Sequence, residues 1–316
     1  MKNKIFLLIC FGFAIHAFAG GSRTSSFEFL RTDFNPRTSG SGNAFTTMRA
    51  DVSGIFVNPA GMAYSENRQF SFNYTSYLLD INGGIAAYSQ PLEGFGIFSA
   101  AVTYMNYGSF NETDENGNET GSSFTPADFA LTLGWADRFE KNFSYGVNVK
   151  YIHSSIQDYN ASAVALDLGM IWEVPFQNDL FIAFSLLNAG SNVEYYTNIK
   201  EELPLSTRLG FSKKLEHLPL EIAVSLTDMN MAESFADIFS QFSVGGEFRL
   251  SQSLRLRLGY DNRLHSDLKR TVDESQFGGV SGGLGILIKN YRVDYSYSNY
   301  NLLGNIHRFG ISGSIE

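Results

Sequence analysis

Cysteine is almost absent from this chain of 316 residues, because Cys10 is the only one. From residue 20 onwards the chain therefore has no thiol, which excludes a disulfide framework and a cysteine-based zinc site there. Long apolar runs are also lacking beyond that point. None approaches the roughly 18 consecutive apolar residues that a membrane helix requires.

Positive charge is scarce as well. The sequence has 23 Lys and Arg against 32 Asp and Glu, a formal net charge of −9. Without Lys2 and Lys4 the balance becomes 21 against 32, or −11. Such a chain has no electrostatic attraction for nucleic acid, and anionic lipid headgroups repel it. We therefore expect neither nucleic-acid binding nor a basic anchor on a membrane surface.

The first residues have the features of a secretory signal peptide. Lys2 and Lys4 precede an apolar run over residues 5–14, and Ala17-Phe18-Ala19 provides a small-residue cleavage site. This order is typical of a cleavable export signal. The apolar run is too short to span a hydrocarbon layer of about 30 Å. The sequence therefore predicts a signal peptide over residues 1–19, cleaved after Ala19, and an exported chain.

Aromatic residues and glycine are abundant, with 28 Phe, 16 Tyr and 30 Gly. After residue 67, apolar and polar or small residues alternate along most of the chain, which indicates β-strands. For example, Phe129, Leu131 and Leu133 alternate with Ala130 and Thr132. This local pattern fits both a soluble β-sandwich and a membrane barrel, because both have one apolar and one polar face.

The connections between strands distinguish the two architectures. Tight turns alternate with longer loops, and the strand count is even, as in an outer-membrane barrel with both termini on one side. The fourteen predicted strands are residues 68–78, 82–90, 94–105, 125–137, 142–153, 160–174, 179–190, 204–214, 218–229, 239–250, 254–262, 276–288, 291–299 and 305–315. The sequence therefore predicts an all-β fold, a transmembrane antiparallel β-barrel over residues 68–316.

Residues 20–67 do not alternate. They contain Phe34-Asn35-Pro36-Arg37, the small-residue stretch Ser39-Gly40-Ser41-Gly42 and scattered large apolar residues such as Phe27, Phe45 and Ile55. A disordered tail is one interpretation of such a segment. The apolar residues favour the other, an N-terminal plug or hatch folded into the lumen.

Charged residues on the polar side of the predicted strands form a candidate network in the lumen. The odd-length connection over residues 251–253 sets Glu247 opposite Arg257 and Arg249 opposite Arg255. We expect Glu247 and Arg257 to form an ion pair, with further carboxylates near the two arginines. The predicted network consists of Glu247, Arg249, Arg255, Arg257, Asp294 and Arg308.

Motifs for catalysis and metal binding are weak. The string Gly279-Val280-Ser281-Gly282-Gly283 matches G-x-S-x-G, but it lies in a predicted strand and lacks the strand–turn–helix elbow. The acidic segment 114–119 fails the EF-hand spacing, because Gly117 falls at position four instead of six. The four histidines after residue 19 show no metal-ligand spacing. We expect no enzymatic activity, no catalytic residue, no cofactor and no metal.

Several motifs at both ends of the chain are recognisable. Near the N-terminus they are residues 27–30, residues 42–45 and the string Val57-Asn58-Pro59-Ala60-Gly61-Met62-Ala63, whose Asn58, Pro59, Ala60 and Gly61 form the candidate plug motif. Near the C-terminus they are residues 291–297 and 303–308. Together these motifs resemble the PorV/PorQ family, the last two its closing hairpin. The string Asn-Pro-Ala-Gly-Met also occurs in FadL-type transporters of hydrophobic compounds. The resemblance implies a FadL-like barrel of fourteen strands and a role in type IX secretion.

Two functions use this scaffold, and the sequence does not decide between them. In the first, which the PorV/PorQ resemblance favours, outward loops bind type IX secretion components or the C-terminal domains of secreted cargo. The candidate contact surfaces are residues 111–120 and 229–239. In the second, the barrel passively transports a hydrophobic ligand across the outer membrane. Both readings place the barrel wall in outer-membrane lipid.

Overall fold

A computed structural model describes residues 25–197, 200–271 and 277–315. The predicted signal peptide and its cleavage site after Ala19 lie outside these residues. Sixteen strands occur in the described part: β1 (Arg68–Ser76), β2 (Asn82–Leu92), β3 (Gly96–Asn106), β4 (Phe110–Thr113), β5 (Glu119–Phe124), β6 (Ala127–Arg138), β7 (Phe143–Ile156), β8 (Tyr159–Glu173), β9 (Leu180–Glu194), β10 (Ser206–Lys214), β11 (Leu220–Thr227), β12 (Phe242–Arg249), β13 (Leu254–Asp261), β14 (Val280–Ile288), β15 (Tyr291–Asn299) and β16 (Asn305–Ile315).

Fourteen of these strands form a closed antiparallel barrel. Each barrel strand pairs with the next one along the chain, β3 pairs with β6, and β16 pairs with β1 to close the wall. The strands β4 and β5 pair only with each other, in a hairpin that projects from the loop between β3 and β6. The predicted fourteen-strand antiparallel β-barrel is confirmed.

The two rims of the barrel differ in their connections. The turn rim consists of the short connections 93–95, 139–142, 174–179, 215–219, 250–253 and 289–290. The loop rim consists of the connections 77–81, 107–126, 157–158, 195–205, 228–241, 262–279 and 300–304. Predicted and observed strands agree to within a few residues. The predicted register of the β12–β13 hairpin is also observed, with Glu247 opposite Arg257 and Arg249 opposite Arg255.

The described residues contain three short α-helices, α1 (Pro36–Ser39), α2 (Phe235–Ser240) and α3 (Asn262–Thr271). The helix α2 lies mainly in residues 229–239 and overlaps the predicted strand 239–250 only at its first two residues, and α3 lies where the sequence predicted a longer connection. In α3 the Asp261 carboxylate accepts a hydrogen bond from the Leu264 amide at 3.1 Å, which satisfies a donor of the first turn. None of the helices in the described residues combines the length and the apolar composition needed to cross a membrane.

The barrel wall is apolar outside and polar or small inside. On β6, Leu131 and Leu133 point outwards and are 37% and 54% exposed, whereas Ala130 and Thr132 point inwards and are at most 1% exposed. The same alternation occurs on β15, where Val293 faces out and Asp294 is buried. The outer surface of such a wall is suited to contact with acyl chains, because every second side chain of a strand points outwards and is apolar.

Residues 25–67, the described part of the predicted plug, lie inside the barrel and are called the plug below. Three side chains cap its short helical turns: Asn35 accepts from the Arg37 amide, Asp51 from the Ser53 amide, and Asn58 from the Ala60 amide. Proline follows both Asn35 and Asn58, where its fixed φ suits the first helical position. The caps satisfy backbone donors that would otherwise be buried without partners.

The plug has one polar face. It contacts strands β10 to β16 mainly through hydroxyl groups and charges, with one small apolar cluster of Ala44, Phe45 and Met48 against Ala223 on β11. Ser39 Oγ lies 2.8 Å from Ser296 Oγ on β15, and Thr46 Oγ1 lies 2.8 Å from Ser225 Oγ on β11. Small residues on the wall permit this close approach.

The opposite face of the plug is apolar. Two buried clusters join it to strands β2, β3 and β6 to β8. The cluster nearer the loop rim contains Phe27, Phe29 and Phe34 of the plug together with wall residues such as Ile85 and Met105. The cluster nearer the turn rim contains Val52, Ile55 and Met62 of the plug with Ala87, Ile97, Ala101 and Ala136 of the wall. We call this interface the apolar seam.

Two glycines of the wall determine how closely the polar face can approach. A Cβ atom at Gly245 on β12 would lie 2.1 Å from the Ser41 carbonyl oxygen, and one at Gly259 on β13 would lie 2.1 Å from the Gly42 nitrogen. No Cβ atom fits at such distances without displacing the plug backbone. The glycines are therefore required by the docked position of the plug.

We expect Gly259→Ala to destabilise the folded protein by about 1–3 kcal/mol, because the added methyl group overpacks the plug interface. The matched control is Gly282→Ala on the adjacent strand β14, where an added Cβ meets its nearest neighbour at an ordinary 3.7 Å. Urea unfolding of the detergent-solubilised protein measures the difference. Equal unfolding midpoints for the two variants would contradict the proposed fit between plug and wall.

Candidate functional site

Six charged side chains near the turn rim form a closed ring of alternating sign, the charge ring. Its members, in order, are Arg37, Glu247, Arg257, Asp294, Arg292 and Asp51. The shortest nitrogen–oxygen distances between successive members, starting from Arg37–Glu247, are 3.1, 2.7, 2.7, 2.6, 2.5 and 3.3 Å. Two members belong to the plug and four to β12, β13 and β15. The ring therefore attaches the plug to the wall.

Burial makes the charge ring sensitive to the loss of any member. Arg257 is 0% exposed, and its Nη2 atom has no hydrogen-bond partner among the described residues. Three cations and three anions leave the ring neutral, and each charge has an opposite charge on both sides. Removing one partner from a buried ion pair leaves an uncompensated charge, which costs about 3–5 kcal/mol.

Glycine makes space for this ring as well. A Cβ atom at Gly285 on β14 would lie 2.6 Å from Asp294 Oδ1 and 2.7 Å from Arg257 Nη2. The Arg257 guanidinium therefore occupies the volume that a larger residue at position 285 would fill. The G-x-S-x-G string ends two positions earlier, at Gly283, where an added Cβ would lie 3.0 Å from the Tyr295 carbonyl oxygen, so these two glycines have a packing role.

The charge ring agrees in part with the network that the sequence predicted. Glu247, Arg257 and Asp294 come together as expected, and the ion pair between Glu247 and Arg257 is present. Arg249 and Arg255 do not join them, because they lie at the turn rim. Arg249 is exposed, and Arg255 Nη1 donates to the carbonyl oxygens of residues 251, 252 and 254.

Arg308 lies in the lumen but in another place. Its Nε donates to the Asp33 carbonyl oxygen at 2.6 Å, and its Nη1 donates to Ser298 Oγ at 3.0 Å. Three members of the charge ring, Arg37, Asp51 and Arg292, were not predicted. The signal for Arg37 and Asp51 was the shortage of carboxylates beside the predicted arginines, together with charged residues inside an otherwise apolar and small-residue plug. The signal for Arg292 was its place beside Asp294 on the polar face of the same strand.

The Asn-Pro-Ala-Gly motif attaches the plug to strands β8 and β9. Asn58 Oδ1 accepts from the Ala60 amide at 3.0 Å, and its Nδ2 donates to the carbonyl oxygens of Met170 and Phe184, each at 3.2 Å. Ala60 is fully buried. A Cβ atom at Gly61 would lie 2.1 Å from the Met48 carbonyl oxygen, so a larger residue does not fit there. The motif is therefore a structural joint between plug and wall.

A cavity of about 720 Å³ opens at the loop rim, and we call it the vestibule. It lies between the plug, the ends of the strands and the loops around α2 and α3. Its lining residues are Glu28, Phe29, Arg31, Thr32, Asp33, Asn43, Tyr77, Ile81, Met105, Tyr107, Met231, Glu233, Asp237, Ser240, Gln241, Asp261, Arg263, Leu264, Ser266, Asp267, Tyr300 and Arg308.

A narrow crevice of about 30 Å³ continues from the vestibule along the start of the apolar seam. Both spaces share Phe29, Arg31, Thr32 and Asp33 in their linings. Farther in, the crevice is lined mainly by apolar side chains, with polar residues of both plug and wall among them. Its remaining lining residues are Leu30, Phe34, Asn35, Phe56, Val57, Ile85, Thr103, Ala130, Thr132, Lys150 and Arg208.

Lys150 borders the crevice, and its charge is neutralised locally. Its Nζ lies 2.8 Å from Asp167 Oδ2 and donates to Asn188 Oδ1 at 2.7 Å. Asn188 has a left-handed backbone with φ of 61° and lies at a bulge where Leu187 and Asn188 oppose the single residue Asp167. The bulge directs the amide of Asn188 to this ion pair. The crevice thus gains no free cation from Lys150.

Two tyrosines in loops at the vestibule keep their protons. Burial raises the pKa of Tyr107, and the neighbouring Asp128 carboxylate raises it further; burial also raises the pKa of Tyr300. Tyr107 Oη donates to Asp128 Oδ2 at 2.5 Å. Both phenols therefore present neutral aromatic rings to the vestibule at physiological pH.

The serine of the G-x-S-x-G string and the histidines lie on separate elements of the fold. Ser281 is buried within β14, and its hydroxyl donates to the Gly259 carbonyl oxygen at 3.5 Å. The histidines lie apart: His153 on β7, His217 in the β10–β11 connection, His265 on α3 and His307 on β16. Within the described ranges, no group of three or more His, Asp and Glu side chains could hold a metal ion.

No protein-family model matches the sequence, and no curated protein matches it. Solved structures do resemble the fold. The Ralstonia pickettii toluene transporter TbuX has 12% identity and a TM-score of 0.60, with 90% of this chain and 98% of that chain covered. A Pseudomonas aeruginosa FadL homologue has 12% identity and a TM-score of 0.54, covering 89% and 98%. The CymD monoaromatic hydrocarbon channel has 9% identity and a TM-score of 0.58, covering 90% and 98%.

These matches show the fold, because identity this low does not carry function. The chain has the FadL-like barrel fold of outer-membrane proteins, as the sequence predicted. None of the matches supports the narrower PorV/PorQ assignment, which stays a prediction.

We expect Arg257→Met to destabilise the protein by about 3–5 kcal/mol, because Glu247 and Asp294 lose the cation between them. The matched control is Arg255→Met, two residues along the same strand but at the turn rim, for which we expect a loss below about 1 kcal/mol. Urea unfolding, together with protease cleavage of the plug, measures both effects. A similar loss for both variants would show that the ring contributes no more than a surface charge.

Proposed function

We propose that the protein is a passive channel for small hydrophobic molecules in the outer membrane, with the loop rim facing outwards. The observation that carries this proposal is the apolar seam between plug and wall. It begins at the open vestibule and extends towards the turn rim. No catalytic step is part of the proposal.

The seam is continuous along the plug. Phe56 packs against both buried clusters, the one near the loop rim and the one near the turn rim. On the wall side of the seam, many side chains are small. Examples are Ala87, Ala101, Ala130 and Ala136, which are at most 5% exposed. Small wall residues leave room for a ligand after modest shifts of the plug side chains. Beyond the crevice, whose lining includes Lys150 and Arg208, a hydrophobic molecule thus meets mainly apolar side chains along this path.

The polar face of the plug is an unfavourable route for a hydrophobic molecule, which supports the route along the seam. The charge ring and the hydroxyl contacts of Ser39 and Thr46 hold the plug against β10 to β16. Opening that side exposes buried charges to an apolar solute, which is costly. A hydrophobic solute therefore passes more easily on the seam side.

The structural neighbours support the class of substrate. TbuX is a toluene transporter and CymD is a monoaromatic hydrocarbon channel. A small uncharged aromatic molecule is therefore the first probe to test. The apolar outer wall and the similarity to a FadL homologue support a position in outer-membrane lipid, which fits the predicted export signal.

We expect Ala130→Phe to reduce uptake of labelled toluene by cells about tenfold, because Ala130 lines the crevice at the entrance to the seam. The matched control is Ala100→Phe on β3, the same change at an exposed residue that faces outwards. The comparison is made against cells without the channel and at equal amounts of folded protein in the outer membrane. Unchanged uptake by Ala130→Phe would contradict a route along the seam.

A cross-link distinguishes the seam from movement of the whole plug. Because no cysteine follows Cys10, the double variant Ser39→Cys/Ser296→Cys can form a disulfide on the polar face, where the two hydroxyl oxygens are 2.8 Å apart. We expect oxidation to leave toluene uptake within about twofold of the reduced form, because the seam lies on the other side. Loss of uptake that reduction restores would mean that the plug must leave the polar wall.

The role in type IX secretion implied by the PorV/PorQ resemblance remains a prediction without support from the comparisons. The candidate contact surface at residues 111–120 is now seen as part of an exposed hairpin, with Phe110 and Phe124 stacked at its base. The second candidate surface, residues 229–239, includes part of α2. Deletion of the gene would leave secreted cargo in the periplasm if this role were correct.

A further inference from the structure

The vestibule has two chemically different sides. The side formed by the plug and the ends of β1 to β3 carries Phe29, Tyr77, Ile81, Met105 and Tyr107. The opposite side, formed by the loops around α2 and α3, carries carboxylates. This second side includes Glu233, Asp237, Asp261 and Asp267.

The vestibule is acidic as a whole. Six of its lining residues are Asp or Glu and three are Arg, which gives a net charge of −3. The lining carboxylates are Glu28, Asp33, Glu233, Asp237, Asp261 and Asp267, and the lining guanidinium groups are Arg31, Arg263 and Arg308. A concave space lined by an excess of one sign concentrates ions of the opposite sign.

The three arginines are already engaged by the protein. Arg31 pairs with Glu28 at 3.6 Å and donates to the Leu205 carbonyl oxygen, Arg263 pairs with Asp228, and Arg308 bonds to the plug backbone. Asp228 does not line the vestibule. It pairs with Arg263 but is not included in the net charge of −3. Each guanidinium of the vestibule lining therefore already has a partner, whereas Arg208 in the adjoining crevice has its Nε buried without a hydrogen-bond partner among the described residues.

Asp261 lies beside an unused acceptor. Its carboxylate receives hydrogen bonds from the Leu264 amide at 3.1 Å and from Asn43 Nδ2 at 3.4 Å, and the described residues place no Lys or Arg side-chain nitrogen within 4.0 Å of it. Asn43 also lines the vestibule, and its Oδ1 is buried without a hydrogen-bond donor among the described residues. An ammonium group at this position would supply both a donor and a positive charge.

The aromatic side of the vestibule suits the same kind of ligand. Tyr77, Tyr107 and Tyr300 are neutral rings, and the electron-rich face of such a ring attracts a cation. An apolar body on this side continues directly into the apolar seam. Acidic and aromatic surfaces facing each other across one cavity thus fit a molecule that is both hydrophobic and positively charged.

We infer that the vestibule selects small hydrophobic amines in their cationic form, with the ammonium group near Asp261 and Asn43 and the apolar body against the aromatic side. This inference rests on the proposed function, because it names the substrate class that the channel admits. Such an amine differs from an uncharged hydrocarbon only in the ammonium group that the vestibule recognises.

The test is calorimetric titration of the purified protein in a zwitterionic detergent with three probes of matched size: benzylammonium, benzyl alcohol and benzoate. We expect benzylammonium to bind at least about tenfold more tightly than benzoate at low salt. Raising the ionic strength from about 0.05 M to about 0.5 M should reduce this ratio severalfold, because screening weakens the field of the vestibule. Equal affinities for the two ions, or a ratio independent of salt, would overturn the inference.

We expect Asp261→Asn to weaken benzylammonium binding about three- to tenfold and to leave benzyl alcohol binding unchanged. Asparagine also caps helices well, so α3 keeps its N-terminal hydrogen bond. The matched control is Glu115→Gln, which removes one negative charge from the exposed hairpin outside the vestibule. An equal effect of both variants would assign the preference to the general charge of the loop rim and would refute the site.

The two proposals fail in different ways. Toluene uptake by cells tests the channel, whereas titration tests the vestibule without requiring transport. Toluene uptake with no preference for benzylammonium in titration refutes the vestibule inference alone. Absence of both toluene and benzylamine uptake in cells refutes the channel, and with it the substrate class.

Discussion

A barrel of fourteen strands with a plug inside it must bury charge only where charge is balanced, and the charge ring meets this condition in two parts. The wall contributes Glu247, Arg257, Asp294 and Arg292, which alone are neutral. The plug contributes Arg37 and Asp51, which are neutral as a pair. Docking closes the chain of four wall residues into a ring of six. Neither part carries a net charge into the lumen, so the plug docks without the large cost of an unpaired buried ion. The ring therefore fixes which face of the plug lies against β12 to β15.

That orientation determines the properties of the rest of the lumen. Once the polar face of the plug is held by ions and hydroxyl groups, Phe27, Phe29, Phe34 and Ile55 lie on the opposite side, against β2, β3 and β6 to β8. Phe45 is the exception, because it packs against Ala223 on β11. The wall there presents small and aliphatic side chains. The two interfaces differ in how they respond to a solute. Apolar side chains can shift without losing a directional bond, whereas a shift of the ring breaks several charged hydrogen bonds together. The charged attachment of the plug thus lies on one side, and most of its apolar packing lies on the other.

The sequence predicted the wall well because one local rule governs it. Lipid outside and a filled lumen inside impose a period of two on every strand, and the tight turn at residues 251–253 sets the register of Glu247 and Arg257. No such rule governs the contacts of the plug. Arg37 meets a carboxylate 210 residues later, and Asp51 meets a guanidinium 241 residues later. Arg249 and Arg255 alternate correctly along their strands, yet the nearby turn takes them out of the lumen. Helix α3 was missed because its apolar residues are few and its cap, Asp261, lies at a strand end.

The rules for the wall are loose, which explains why the fold is shared with TbuX at 12% identity. An outward residue need only be apolar, and an inward one need only be small or balanced in charge, so many sequences build the same barrel. The vestibule is under neither constraint. The acidic side of the vestibule is formed by loops and by the short helices α2 and α3. These elements take no part in the strand pairing that closes the barrel. Asp261 belongs to both regions, since it ends β13 and caps α3. A change at that position alters the entrance without disturbing the pairing of the strands. In the proposed channel, selectivity therefore lies at the loop rim, apart from the strand pairing that closes the barrel.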